Sequence, residues 1–225
     1  MERLKVGLLL PCYNVAPYLK ETFQSINSLI LDTIDFNIYA LDDNSSDGTF
    51  EFLQKVVYPT RLFQNDSNIG WCASYNELAN VAIEDNCEYI MIMGSDDQLE
   101  PSCLQEMIKL LKETESDFCI VQGQMFGDGN IIMTAMQNAT WQDFREANQI
   151  PNFALIKSEM WNELNGYDTS FRYADWEFWI RALKANKKYC VVEEPLYRYR
   201  LHAGNDHKKA NHQYEHNLII NKHFI

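Results

Sequence analysis

Apolar residues over the first hundred positions fall in short blocks that alternate between two periods. Leu4 to Leu10 is a near-continuous apolar run stopped by Pro11, the pattern of a parallel strand buried on both faces. Pro17 to Leu31 then carries Leu19, Phe23, Ile26 and Ile30 at helical spacing. The same alternation predicts strands at Phe36–Leu41, Arg61–Gln64 and Glu88–Met93. Between and after them it predicts helices at Asp47–Val57, at Trp71–Glu84, and from Pro101 to about Glu113.

Four strand–helix units in succession imply an α/β fold, a mostly parallel central sheet flanked by helices. Phe118 to Val121 extends that sheet. From Gly123 to Ile150 the pattern breaks into polar pieces, read as a hairpin or irregular segment with a short helix near Trp141–Ala147. A strand at Asn152–Ile156, helices at Lys157–Leu164 and Asp175–Ala185, and a strand pair at Tyr189–Val192 and Leu196–Leu201 follow. The His- and Asn-rich tail reads as helical. No repeat or low-complexity linker divides the 225 residues, so a single domain is expected.

Composition narrows the partners. A hydrophobic content of 46% is ample for a core, and a net charge of −13 argues against nucleic acid or an anionic bilayer held by general electrostatics. The six cysteines form no CxxC pair and sit in apolar surroundings, as buried reduced thiols of a cytosolic protein do. Met1 to Pro11 lacks the longer apolar region and cleavage site of a signal peptide, and no stretch nears the ~20 apolar residues of a membrane span. The expected location is therefore cytoplasmic, with at most peripheral association at the inner membrane face. The sequons at Asn44 and Asn138 then read as chance matches.

The candidate chemistry sits where the predicted strands end, which is where open α/β sheets bind ligands. The first strand ends in Pro11-Cys12-Tyr13-Asn14, the second in Asp42-Asp43, the third runs into Asn68-Ile69-Gly70, and the fourth into Ser95-Asp96-Asp97. Each Asp pair has an ordinary reading as a helix cap or turn. Together they suit a site in which carboxylates hold a divalent cation and the cation holds phosphates.

These stretches carry a family resemblance. Val6 to Asn14, Leu41-Asp42-Asp43-Asn44-Ser45-Ser46-Asp47-Gly48-Thr49, Asn68-Ile69-Gly70 and Ser95-Asp96-Asp97 resemble the inverting glycosyltransferases of family 2, which have the GT-A fold. The likeness continues through Gly166-Tyr167-Asp168, Asp175 to Arg181 and Tyr199-Arg200-Leu201-His202, covering about residues 4 to 204. It implies a nucleotide-binding half at 1–100, an acceptor and catalytic half at 101–206, and a C-terminal helical tail at 207–225.

The resemblance also implies roles. A nucleotide-sugar donor, UDP-linked before others, would have its base against Tyr13, with Asp43 on the base edge and Pro11 and Asn14 lining the pocket. Asn68 and Gly70 would close over the nucleotide. Asp96 would touch ribose and, with Asp97 and His202, hold Mn²⁺ or Mg²⁺; the plain alternative for His202 is a surface histidine. Asp175 would be the general base that deprotonates a glycan or lipid-linked acceptor, although Asp is also a good helix cap. Glu177, two residues on, projects elsewhere.

Two positions depart from the family pattern. Gly94 stands where the metal motif often begins with Asp, and Ala174 precedes the base where Glu is common. They support the alternative of a degenerate module that binds nucleotide-sugar or glycan without turnover. A sugar nucleotidyltransferase would want a Gly-rich basic loop after the first strand, which Pro11 to Asn14 is not. Trp176, Phe178 and Trp179 read as core, Met91 and Met93 as packing, and the tail histidines His207, His212 and His216 as a solvated helix face.

Overall fold

The computed structural model describes residues 3–56, 60–205 and 211–225. Its first half runs β1 (Leu4–Cys12), α1 (Ala16–Asn27), β2 (Ile34–Asp42), α2 (Thr49–Leu53), β3 (Thr60–Gln64), α3 (Trp71–Glu84), β4 (Tyr89–Ile92), β5 (Gln98–Leu99) and α4 (Cys103–Thr114). The second runs β6 (Phe118–Gly127), β7 (Ile132–Met133), a 3-10 turn (Trp141–Arg145), β8 (Ala154–Lys157), α5 (Ser158–Glu163), α6 (Ala174–Lys184), β9 (Tyr189–Leu201) and α7 (His212–His223).

The described strands form one sheet in the order β3-β2-β1-β4-β8-β6-β9-β5, with β7 paired to β6. β1 pairs in parallel with β2 and β4, and β2 with β3, so the first four units build the expected parallel half. β8 joins antiparallel to both β4 and β6, while β9 runs parallel to β6. This makes an α/β GT-A architecture with helices on both faces.

Why β1 is apolar throughout is now visible. Leu8 and Leu10 face a core layer with Leu19 and Phe23 of α1, whereas Leu9 faces the opposite layer with Leu78 of α3. All three leucines are fully buried, so truncating any of them to Ala would cost about 2–5 kcal/mol. Met91 and Met93 are buried packing residues, and all six cysteines are free and buried.

Several expectations are corrected. The helix read from Pro17 to Leu31 ends at Asn27, where Ser28 caps it, so Ile30 lies outside the helix and is exposed. The strand pair at Tyr189–Val192 and Leu196–Leu201 is one continuous strand, β9. Its register against β6 jumps from Val191 and Val192 opposite Ile120 and Val121 to Pro195 opposite Gln122. A bulge at Glu193-Glu194 absorbs the extra residues, so Pro195 does not end the strand. The helix expected from Asp47 starts at Thr49, because Gly48 takes φ +93° and Asp47 accepts the Thr49 N–H at 3.1 Å; Val57 lies outside the described residues. The short β5 was not expected; it owes its existence to Tyr197 and Arg198 opposite.

Candidate active site

The carboxyl ends of β1 to β4 meet at one edge, joined by hydrogen bonds between loops. The Asp43 N–H donates to the Cys12 carbonyl at 2.8 Å, and the Asn65 N–H to the Asp42 carbonyl at 2.9 Å. Asn14, at φ +52°, ties the first loop to the second: its N–H donates to Ser45 Oγ and its Oδ1 accepts from the Ser46 N–H, each at 2.9 Å. Tyr13, beside it, is half exposed. Pro11, the second-last residue of β1, lies opposite Leu41 of β2.

Asp43 organises the third loop. Its Oδ1 accepts from Asn65 Nδ2 and the Ile69 N–H at 2.9 Å, and its Oδ2 from the Gly70 N–H at 2.8 Å. Asn68 Nδ2 reaches the Asp43 carbonyl at 3.3 Å. Gly70 needs its φ of +85° to make that turn, which L side chains rarely adopt. Asp43 is buried, and these three donors occupy three of the roughly four lone-pair directions of its carboxylate. Asp42 is fully buried, and its Oδ1 has no partner among the described residues.

Asp96 and Asp97 behave differently from each other. Asp97 is buried, accepting at Oδ1 from the Arg200 N–H at 2.7 Å and at Oδ2 from the Tyr197 hydroxyl. Burial and the adjacent Asp96 charge push its pKa well above the carboxylate range. Asp96 is part-buried, and its Oδ2 lies 2.7 Å from His202 Nε2. Arg200 locks this corner, donating from Nε to the Asp96 carbonyl at 2.6 Å and from a terminal nitrogen to Glu21 at 2.8 Å. Gly94 fits the same packing: a β-carbon there would lie 2.4 Å from Asp97 Oδ2.

Among the described residues no three metal-ligating side chains form a ready-made cage. A carboxylate oxygen and an imidazole nitrogen converging at hydrogen-bond distance are nevertheless a donor pair that Mn²⁺ or Mg²⁺ accepts, the other positions going to phosphate and water. His202 Nδ1 accepts the Gly204 N–H at 3.1 Å, so in a neutral ring Nε2 carries the proton shared with Asp96.

Asp175 lies in the first turn of α6, at the edge of a cavity of about 880 Å³. Burial raises its pKa to about 6, against the opposing hydrogen bonds from backbone N–H groups and from Asn148 Nδ2 at 2.9 Å. Trp71 lines the same cavity and follows directly on Gly70, whose N–H is held by Asp43. The nucleotide-side loop and the cavity of Asp175 therefore share the start of α3.

Glu177 is fully buried and turned away from this cavity, as its two-residue offset implies. It accepts from Arg181 Nε at 2.8 Å, Lys222 Nζ at 2.7 Å and His223 Nε2 at 3.0 Å. Arg181 also donates to the Gly166 carbonyl at 2.7 Å, and Lys222 to Asp168 at 2.8 Å. The Gly166-Tyr167-Asp168 and Glu177-to-Arg181 stretches are thus one clamp on α7. Phe178 and Trp179 are core, and Trp176 is buried yet shows an edge to the cavity.

Of the tail histidines, His212 is exposed as expected, whereas His216 is part-buried. His212 hydrogen-bonds the Tyr173 hydroxyl, and His216 packs against Trp176 with ring centroids 5.7 Å apart. Both line the cavity of Asp175, because the clamp on Glu177, not composition, sets which face of α7 turns inward. His207 lies outside the described residues. Asn148 too escaped sequence reasoning, since a lone Asn in an unpatterned stretch carries no signal; Arg181, four residues after Glu177, was the one legible hint of the clamp.

A parallel α/β half ending in a carboxylate-rich edge, next to a cavity with a half-buried Asp, is the arrangement of a GT-A-type fold. Residues 8–174 match the profile of Glycosyl transferase family 2, and the chain belongs to that family. It is 25% identical over 213 residues to the uncharacterised glycosyltransferase MJ1057 of Methanocaldococcus jannaschii, covering 89% of this chain and 72% of the relative. Its fold matches S. aureus TarS residues 1–349 in complex with UDP-GlcNAc, with TM-score 0.78 and 17% identity over 97% of this chain and 66% of that one. It also matches the mannosyltransferase PcManGT of Pyrobaculum calidifontis in complex with GDP-Man and Mn²⁺, with TM-score 0.71 and 16% identity over 98% and 65% of the two chains. The chain thus spans just under two thirds of both solved chains. No helix among the described residues is long and apolar enough to cross a membrane.

Proposed function

We propose that this chain transfers a sugar, with inversion, from a UDP-sugar to a glycan or lipid-linked acceptor, with Asp175 as general base. The observation that carries the reading is the position of Asp175. A carboxylate whose pKa is raised to about 6 is ionised at neutral pH yet basic enough to take a proton from an attacking hydroxyl. It faces a cavity large enough for a sugar unit, and that cavity begins where the nucleotide-side loop ends.

In this reading Tyr13 lies against the base, Asp43 is on the base edge, and Pro11, Asn14, Asn68 and Gly70 shape the pocket. Asp96 and His202 would hold Mn²⁺ or Mg²⁺, and Asp97 keeps the Asp96 corner in place through Arg200 and Tyr197. When bound, the cation would neutralise charge on the departing nucleoside diphosphate. The domain would work in the cytoplasm, meeting any membrane peripherally.

Calorimetric titration of UDP, GDP, ADP and CDP, with Mn²⁺ and then with EDTA, tests the donor site. Metal-dependent binding of UDP above the others is expected; no binding of any nucleotide with metal present would sink the assignment. Gly94 favours a second reading, a module that binds without turnover, because it leaves the metal motif one carboxylate short. Donor hydrolysis abolished by Asp175→Asn separates the two.

A further inference from the structure

Asn152 and Tyr167 form a locked pair at the back of the cavity that holds Asp175. The Tyr167 hydroxyl donates to Asn152 Oδ1 at 2.5 Å. Tyr167 is itself fixed along its backbone and around its ring. Asn76 Nδ2 donates to its carbonyl and Asn76 Oδ1 accepts from its N–H, each at 2.8 Å. Trp71, Trp161 and Phe178 meet its ring edge to face, with centroids 4.8 to 5.4 Å away. Burial, and after it the charge of Asp175, push the phenol well above its usual pKa, so it keeps its proton. The hydroxyl has no other acceptor among the described residues. Its proton therefore goes to Asn152 and fixes which branch of that amide is the oxygen.

The other branch meets the cavity. Asn152 lines it beside Trp71, Asn148 and Asp175, and Tyr167 is not part of that lining. With Oδ1 turned back to Tyr167, Nδ2 is turned forward. Among the described residues Nδ2 has no hydrogen-bond partner, and it is not one of the buried, unmatched side-chain atoms, so its N–H groups remain reachable. An N–H donor held beside a carboxylate suits a ligand that both gives and accepts hydrogen bonds. A sugar ring does this: one hydroxyl can give its proton to Asp175 while another oxygen accepts from Nδ2. A metal ion does not, because Nδ2 has no lone pair to offer it.

We propose that Asn152 is a sugar-orienting residue, its Nδ2 giving a hydrogen bond to an oxygen of the saccharide that faces Asp175. The proposal rests on this cavity being where the sugar is transferred. The oxygen belongs either to the sugar of the nucleotide-sugar or to the acceptor, and two measurements separate these sources.

Calorimetry with Mn²⁺ compares UDP with UDP-glucose, UDP-galactose and UDP-N-acetylglucosamine. Saturation-transfer NMR with UDP and Mg²⁺ follows methyl glycosides of the same three sugars. Asn152→Asp keeps an acceptor for Tyr167 and puts an oxygen in place of Nδ2. Asn152→Leu combined with Tyr167→Phe removes the pair together and leaves no orphaned phenol. Both variants weaken binding of a nucleotide-sugar relative to UDP, or of a glycoside, by about three- to tenfold. A loss in calorimetry puts the oxygen on the transferred sugar, and a loss in NMR puts it on the acceptor. Tyr167→Phe keeps Nδ2 but unlocks the amide, and costs less than Asn152→Asp. UDP alone stays within about twofold of wild type throughout. An asparagine that serves only to hold Tyr167 gives the opposite order, because Asn152→Asp preserves that bond. The opposite order, unchanged sugar binding in either Asn152 variant, UDP affinity falling as far as sugar affinity, or no sugar-dependent binding by wild type overturns the proposal. Donor turnover in Asp175→Asn reads the base separately: surviving turnover removes that assignment and leaves the binding result standing.

Discussion

Asn148 Nδ2 donates to Asp175 Oδ2 at 2.9 Å, joining the unpatterned stretch before β8 to the first turn of α6. Asn148 is itself braced, its Oδ1 accepting the Ile150 N–H at 3.3 Å. The bond favours the ionised carboxylate and opposes the burial that raises the pKa to about 6. It makes Asn148 a positioning residue for the proposed base.

Asn148→Ala therefore moves the base further up. With one hydrogen bond to the ionised form lost, the acid limb of the kcat/KM profile shifts upward from about 6 by roughly half to one unit. Activity falls most near pH 6 and recovers at higher pH. A limb that stays in place, with activity reduced equally at all pH values, leaves Asn148 with packing alone.

Asp175→Asn abolishes turnover and stabilises the fold. A carboxyl raised from 3.8 to about 6 holds its proton more tightly folded than unfolded, so stability falls as pH rises through that window. Above it the ionised Asp175 costs about 1–3 kcal/mol, which the neutral amide removes. Urea midpoints measured from pH 7.5 down toward 4 check this: the variant's advantage should shrink on acidification, and a constant advantage contradicts the sign.

Gly94→Asp, which restores the commoner family residue, harms this chain. The new β-carbon would sit 2.4 Å from Asp97 Oδ2, and Asp97 is held by Tyr197 and the Arg200 N–H. Strain of this kind costs about 1–3 kcal/mol. The smaller Gly94→Ala should already lower the melting temperature, and should cost less when Asp97 is also Ala. Additive effects in that double-mutant cycle would remove Asp97 as the cause.

What the sequence made legible follows from the range over which each signal acts. Leu8, Leu9 and Leu10 announce a buried parallel strand by themselves, and the Asp pairs stand out because they end such strands. Helix α7 shows no clear apolar face, so nothing local says that His216 turns inward; that depends on Glu177, which is 39 positions away. β9 misled for a related reason. Pro195 marks a break locally, and only pairing with β6 carries the strand through the bulge.

Glu177 supplies the last test, because it separates a structural carboxylate from the proposed catalytic one two residues earlier. Burial alone would raise its pKa, but His223, Lys222 and Arg181 outweigh burial and hold it at about 2. A carboxyl depressed from 4.5 contributes stability that is complete above the unfolded value and lost as pH falls from there toward 2. Its contribution near neutral pH is about 3 kcal/mol. Glu177→Gln keeps the shape but leaves Arg181 and Lys222 facing a neutral group, so a loss of about 2–4 kcal/mol is expected. Since Lys222 and His223 belong to α7, that helix should loosen first. Hydrogen exchange should speed up in α7 before β1, while donor hydrolysis per folded molecule stays near wild type. Uniform loss of protection across the sheet would make Glu177 a general stabiliser rather than the clamp on α7. Donor hydrolysis lost in a folded Glu177→Gln protein would move the catalytic carboxylate from Asp175 to Glu177.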